Sequence, residues 1–269
     1  MKKLAYLISS AVVMLFSVGS TSAQNTLDFS FPENTIWVSD TYLRTLTKTK
    51  SLALALESVN DTMSMIQFNG KNSVENLIHY FAMHEGIRST IRSIDSSVKS
   101  QYGNLFQVEY NGKTVTDSNY YYRYGKDINE LVVTIRFIEG KNVIFKQHQY
   151  TKVGAMKANV SAFDSLINDI VVAGRYVNAK DKRTQSLESM FAFAFRNDGT
   201  CVFKGNPGMY ELLPDQNYAG LDILRISYSG TIEYYAIKHN AKGITLQLLT
   251  LKNDKLIALP TALIQLKKL

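Results

Sequence analysis

Cysteine is almost missing from this chain: Cys201 stands alone in 269 residues, which excludes an intramolecular disulfide framework and any Cys-rich zinc module. With Pro at 4 and Gly at 15, collagen-like and linker-dominated architectures are excluded as well. No Gly-x-Ser-x-Gly elbow and no phosphate-cradling glycine loop occurs, so the common sequence signs of a serine hydrolase or a nucleotide site are lacking. Against these absences, apolar residues make up 45% and charged residues 20%. That is ample for a packed core and incompatible with global disorder.

The first 23 residues read as a secretory leader. Lys2 and Lys3 form its basic start, Leu4 to Phe16 its apolar stretch, and Gly19-Ser20-Thr21-Ser22-Ala23 its small-residue end. The apolar stretch is short of the ~20 residues a spanning helix needs. Cleavage is therefore expected after Ala23, leaving Gln24 first in an exported protein of the periplasm or the extracellular space. Without the two leader lysines, 28 basic residues face 23 acidic ones, a surplus of five. These basic residues are scattered through turns and alternate strand positions rather than clustered between aromatics, which argues against a nucleic-acid partner.

Most of the mature chain alternates apolar and polar residues between turn signals. Leu131–Ile138 and Val143–Tyr150 flank Glu139-Gly140-Lys141-Asn142 and predict a hairpin. Asn111-Gly112 joins Leu105–Tyr110 to Lys113–Thr116 by the dipeptide preferred in two-residue turns. Arg196-Asn197-Asp198-Gly199, Ser229-Gly230, Lys242-Gly243 and Asn253-Asp254 punctuate the second half in the same way. The fold class expected is all-β and antiparallel, as a sandwich or an up-and-down barrel. Two segments follow a helical period instead. Val74, Leu77, Ile78, Phe81, Ile87, Ile91, Ile94 and Val98 predict a helical insertion over residues 73–99, with Asn72 and Glu75 as a capping box. Phe163, Leu166, Ile167 and Ile170 predict a short helix over residues 161–170. This second helix separates two β-rich halves, each opened by an aromatic strand (Trp37, Tyr176). The expected organisation is a leader at 1–23, a β-domain at 24–155 and a second β-domain at 156–269.

Ala173-Gly174-Arg175-Tyr176, Phe193-Ala194-Phe195-Arg196-Asn197-Asp198-Gly199-Thr200, Gly208-Met209-Tyr210-Glu211-Leu212 and Gly243-Ile244-Thr245-Leu246-Gln247-Leu248 follow one another in register with a known pattern. Over about residues 170–255 the chain resembles bacterial secreted lipocalin-like domains. These open on Gly-x-Trp, continue through a Phe-Asn-x-Asp-Gly-Thr hairpin and a Gly-x-Tyr strand, and end on alternating leucines. Tyr176 replaces the opening Trp, and Arg196 interrupts the Phe–Asn pair. In the first half the likeness is carried by Trp37 and the strand rhythm. What the resemblance implies is two tandem meander barrels of about eight strands each, without specifying a ligand.

A barrel of that size either is filled by side chains or holds one small guest, and the 16 Tyr and 13 Phe can serve either end. The candidate ligand-binding residues are Trp37, Phe81, Tyr120, Tyr122, Tyr124, Tyr176, Phe193, Phe195 and Tyr210. In the run Tyr120-Tyr121-Tyr122-Arg123-Tyr124 the odd members share one strand face, as a sugar platform or as ordinary sheet packing. Placed over a barrel mouth, the 73–99 helix would be a lid turning Phe81 and Ile87 inward. Met190 to Phe195 is apolar on both faces, so its outer face is expected to meet the other domain, in preference to the 161–170 helix or a partner chain.

Signs of catalysis are weak. His79 and His84 are five apart, not on one helix face, and His148 and His239 lack sequence-near partners. Glu109, Asp117, Glu211 and Glu233 read as outward strand residues. The expectation is a non-enzymatic exported protein with no metal and no cofactor, binding a small apolar or amphipathic ligand. The alternative is a structural module of the cell envelope with filled barrels and a protein partner. An outer-membrane barrel is a third reading, disfavoured by the helical segments and apolar interior rings.

Overall fold

The computed structural model describes residues 29–269 except 60–61, 82–85, 111, 155–161, 180–192, 215–221 and 253–254. The expected leader and its expected cut, and Met190 to Ala192 of the doubly apolar run, lie outside the described residues.

Alternation and tight turns fold the rest into two antiparallel barrels in succession. The first uses β1 (Thr35–Ser39), β2 (Met65–Phe68), β3 (Leu77–Tyr80), β4 (Gly86–Ser100), β5 (Gly103–Tyr110), β7 (Tyr120–Tyr124), β8 (Glu130–Glu139) and β9 (Asn142–Gly154), with the short β6 (Lys113–Thr116) appended to β5. Its order is β4-β3-β2-β1-β9-β8-β7-β5, and the β4–β5 pairing closes the ring. The second, a closed eight-stranded ring, runs in chain order: β10 (Gly174–Asn178), β11 (Phe193–Phe195), β12 (Thr200–Phe203), β13 (Asn206–Pro214), β14 (Asp222–Tyr228), β15 (Thr231–Asn240), β16 (Gly243–Lys252) and β17 (Lys255–Lys268).

Among the described residues the helices are α1 (Asp40–Thr49) and α2 (Leu52–Glu57), inside the first half, and α3 (Ala162–Val171), between the barrels. α3 matches the expected short helix. Its Phe163 and Ile167 are buried. The insertion, however, is not at 73–99. That segment holds β3 and β4, and the helical insertion is α1–α2, between β1 and β2.

Two physical effects make strands imitate a helix here. β1, β2 and β3 are covered on both faces, by the barrel interior and by neighbours outside, so adjacent residues such as Leu77 and Ile78 are both buried. In β4 the register slips: Ile91 pairs with Val108 but Ser93 with Gln107. This bulge adds one residue and flips the side-chain parity. Ile91 and Ile94, three apart, therefore pack on the same core.

The helices form because Tyr42 and Leu46 share one buried face of α1, and Asp40 places a carboxylate in its first turn. Lys50, in left-handed geometry at φ 58°, ends α1 by donating its N–H to Leu46 O at 2.7 Å. Ser51 Oγ then accepts from Leu54 N at 3.3 Å and caps α2.

One apolar core runs from the outer face of β1 (Ile36, Val38) through Tyr42, Leu46, Leu52, Leu56, Phe163 and Ile167 into the second barrel, where it meets Tyr176, Leu212, Leu224, Ile237 and Leu266. The helices thus close one end of the second barrel while lying against the wall of the first. Each fully buried Leu, Ile or Phe contributes about 1.5–3 kcal/mol before the entropy of ordering is subtracted. Asp222 ties the two parts together: its carboxylate accepts from Leu52 N at 2.7 Å and Ala53 N at 2.9 Å.

The first ring is weakest at the β5–β7 seam, joined by the single ladder pair Asn104↔Tyr122. There the backbones approach so closely that a Cβ on Gly103, whose φ is +126°, would stand 2.6 Å from Tyr122 O. Only glycine fits. Gly103→Ala is expected to lose about 2 kcal/mol in urea titration, and an unchanged midpoint would mean the seam opens freely.

Candidate functional site

Interior positions follow from strand parity. In the first barrel Tyr122, Phe106 and Phe68 interlock, with Tyr122 stacked on Phe106 at 4.4 Å. Phe29 lies 5.0 Å from Tyr124 and Phe31 lies 5.6 Å from Phe68, and Tyr124 Oη donates to Ser30 O at 3.1 Å. The segment preceding β1 therefore plugs that end of the barrel. Trp37 is fully buried nearby, donating Nε1–H to Thr35 Oγ1 at 2.7 Å.

At the opposite end the wall parts. Beyond Asn104, β6 takes over the edge of β5 from Gln107 onward, and the link Asp117–Asn119 spans the gap. Asp117 N donates to Phe106 O at 3.0 Å, and Asn119 O accepts from Arg136 N at 2.8 Å. The result is a recess of about 430 Å³ lined by His79, Ile87, Val115, Asp117, Asn119 and Tyr120, among others.

His79, from β3, forms its floor. It is 1% exposed, and its Nε2 shares a 2.6 Å hydrogen bond with Tyr122 Oη. The Tyr120 ring lies 4.8 Å from the imidazole. Burial pushes the His79 pKa down to about 3, so the ring is neutral above acidic pH. Asp117 is also buried, and the loss of water raises its pKa although the N–H of Asn119, at 3.3 Å, opposes the shift. The recess therefore combines a neutral hydrogen-bonding imidazole, a phenol, a carboxyl of raised pKa and the apolar Ile87 and Val115. Polar and apolar groups thus share one small concave surface.

In the second barrel aromatic rings meet across the described interior. Phe203 lies 5.3–5.4 Å from the rings of Phe193, Tyr228 and Tyr235, and Phe195 lies 5.3 Å from Tyr210. Tyr176 Oη donates to Val172 O at 2.8 Å and Tyr210 Oη to Arg196 O at 2.5 Å. At the end away from the helices, Lys204 Nζ meets Glu233 at 3.0 Å, and Glu233 accepts from Tyr228 and Tyr235 at 2.8 and 2.6 Å. Burial pulls the Lys204 ammonium down, but its bonds to Tyr228, Glu233 and Tyr235 outweigh it and hold it above the usual lysine range. Cys201 is buried, and loss of water raises its thiol pKa to about 11, an unreactive environment.

The candidate residues therefore divide. Tyr120 lines the recess and Tyr122 supports its floor. Trp37 and Tyr124 fill the plugged end, and Tyr176, Phe193, Phe195 and Tyr210 fill the second barrel. Phe81 is 40% exposed just past β3 and enters neither interior; the chain there has left the ladder, whose last pair is Tyr80↔Gly86. Among the described residues of 73–99 the chain forms β3 and β4 rather than a helical lid. Ile87, on β4, does reach the recess. Asp117 and Glu233 are not the outward strand residues expected: the first is buried at the recess and the second turns to the barrel end. Glu109 pairs with Arg92, and Glu211 with Arg225 at 3.3 Å. His79 and Asp117 belong to the recess but were not among the ligand-binding candidates. The shared parity of Leu77 and His79 was the signal for His79, hidden by the helical spacing around it; Asp117, in the link after β6, carried none.

Two closed eight-stranded antiparallel barrels are compatible with a lipocalin-like fold. Comparisons with family models, curated proteins and solved structures find no match. The reading of function rests on the geometry.

Proposed function

We propose that this is an exported, non-enzymatic, lipocalin-like protein whose first barrel takes a small amphipathic ligand at its open mouth, the second serving as a filled scaffold. The observation that carries the reading is the recess of about 430 Å³, a volume within the range of small-molecule sites, with buried polar groups on one side and Ile87 and Val115 on the other. The apolar, ring-filled interiors support a water-soluble body, since membrane barrels carry the opposite pattern of polar lumen and apolar exterior.

The test is native mass spectrometry of protein purified from its own host, with titration of a dansylated medium-chain fatty acid. A retained mass and saturable binding are expected, and Tyr120→Ala should weaken the probe about tenfold. Only apo mass together with no saturable binding would dismiss the ligand reading.

A second reading, an envelope module that binds another protein, draws on exposed apolar residues. Leu251, Ile257, Leu259 and Leu263 of the β16–β17 hairpin are 66%, 44%, 37% and 39% exposed. Recovery of one stoichiometric partner, lost in Ile257→Lys, would favour it.

A further inference from the structure

A second recess, of about 320 Å³, lies on the outer wall of the first barrel, between α1 and strands β7, β8 and β9. Its floor is a cross-strand row. Arg123 pairs with Val132, and Val132 with Gln149, so the three side chains stand side by side on the outward face. Val132 is only 4% exposed despite that position. Gln147 continues the row's polar edge, and Arg44 overhangs it from α1.

Among the described residues neither arginine has a carboxylate partner. Arg44 reaches only Thr41 Oγ1 at 3.5 Å, and Arg123 only Tyr124 O at 3.4 Å, distances at the weak limit of a hydrogen bond. Elsewhere Arg88, Arg92 and Arg225 each face a glutamate. The one acid lining this recess, Asp40, accepts from Thr151 Oγ1 at 2.7 Å. Two guanidinium forks therefore face one space with donor capacity unspent, beside two exposed primary amides.

We propose that this crevice binds an acidic saccharide unit. Its carboxylate would be held by Arg44 and Arg123, and its hydroxyls by Gln147 and Gln149. The fork geometry of arginine suits a planar oxyanion, and a recess of this size, at the lower end of the usual range, suits one sugar ring.

Calorimetric titration of the mature full-length protein with glucuronate, glucose and inorganic sulfate tests this. Glucuronate should bind saturably, with glucose and sulfate each at least about tenfold weaker. Arg44→Ala and Arg123→Ala should each weaken glucuronate about tenfold while leaving the urea midpoint unchanged. Arg123→Lys should restore little, because the ammonium lacks the fork, and Asp40→Asn should tighten binding several-fold. Absence of saturable glucuronate binding up to about 10 mM would overturn the proposal. So would equal affinity for glucose or sulfate, or indifference to both arginine substitutions.

Discussion

Asp222→Ala should lower the stability of the whole protein by about 3–5 kcal/mol, read as a fall in the urea midpoint. The carboxylate is 3% exposed and accepts from the amides of Leu52 and Ala53, which open α2 and have no acceptor within the helix. Both residues are themselves buried, so truncation strands two amides away from water. Each stranded donor costs about 1–3 kcal/mol. Burial pushes the Asp222 pKa up, against the opposing bonds from Ala53, Leu52 and Ser51. Asp222→Asn keeps one acceptor oxygen in place and should lose about half as much. Trp37, the single tryptophan, reports on the first barrel, although Asp222 belongs to the second. Its fluorescence should shift together with the far-ultraviolet signal, because one core spans both. A change below about 1 kcal/mol would show that the carboxylate is dispensable.

His79 should make the protein acid-sensitive. Its folded pKa, pushed down by burial to about 3, lies below the ordinary value of 6.5. Between those limits the unfolded chain binds more protons than the folded one, so stability rises with pH across this window. The contribution is intact above pH 6.5 and is lost on acidification at up to about 1.4 kcal/mol per pH unit. From pH 6.5 to 5 that amounts to about 2 kcal/mol, and the full descent to about 4–5 kcal/mol. His239 is also lowered, to about 4, by burial and then by Lys50 and Lys268. It is exposed, however, and solvent screening reduces its share. His79→Gln should therefore flatten most of the slope, leaving a small residue from His239. Equal slopes in the two proteins would place the acid sensitivity elsewhere.

What could be read from the sequence was what is local. The Gly140-Lys141 and Ser229-Gly230 turns, the alternation of Tyr120, Tyr122 and Tyr124, and the 3.6-residue spacing of Phe163 and Ile167 all carried through to the structure. What could not be read depends on partners distant in the chain. The two-sided covering of β1–β3 and the bulge between Ile91 and Ser93 made β3 and β4 look helical. α1 and α2 went unpredicted because they are short and their large anchors, Tyr42, Leu46, Leu52 and Leu56, pack on the outer face of β1 and on the second barrel, whose strands lie far along the chain. The recess was hidden for a related reason: His79 and Asp117 are 38 positions apart in the chain and share a space only once the β5–β7 seam has formed.

The placement of α1 and α2 has a consequence for the order of synthesis. These helices leave the ribosome well over a hundred residues before the last strand of the barrel whose end they cover. Until β17 closes that ring against β10, Tyr42, Leu46 and Leu56 have no complete surface to meet. A nascent chain in that interval carries an apolar ledge along the side of its first barrel, where collapse onto the wrong neighbour competes with waiting. Truncations that end before β17 should accordingly aggregate rather than accumulate as a folded first half.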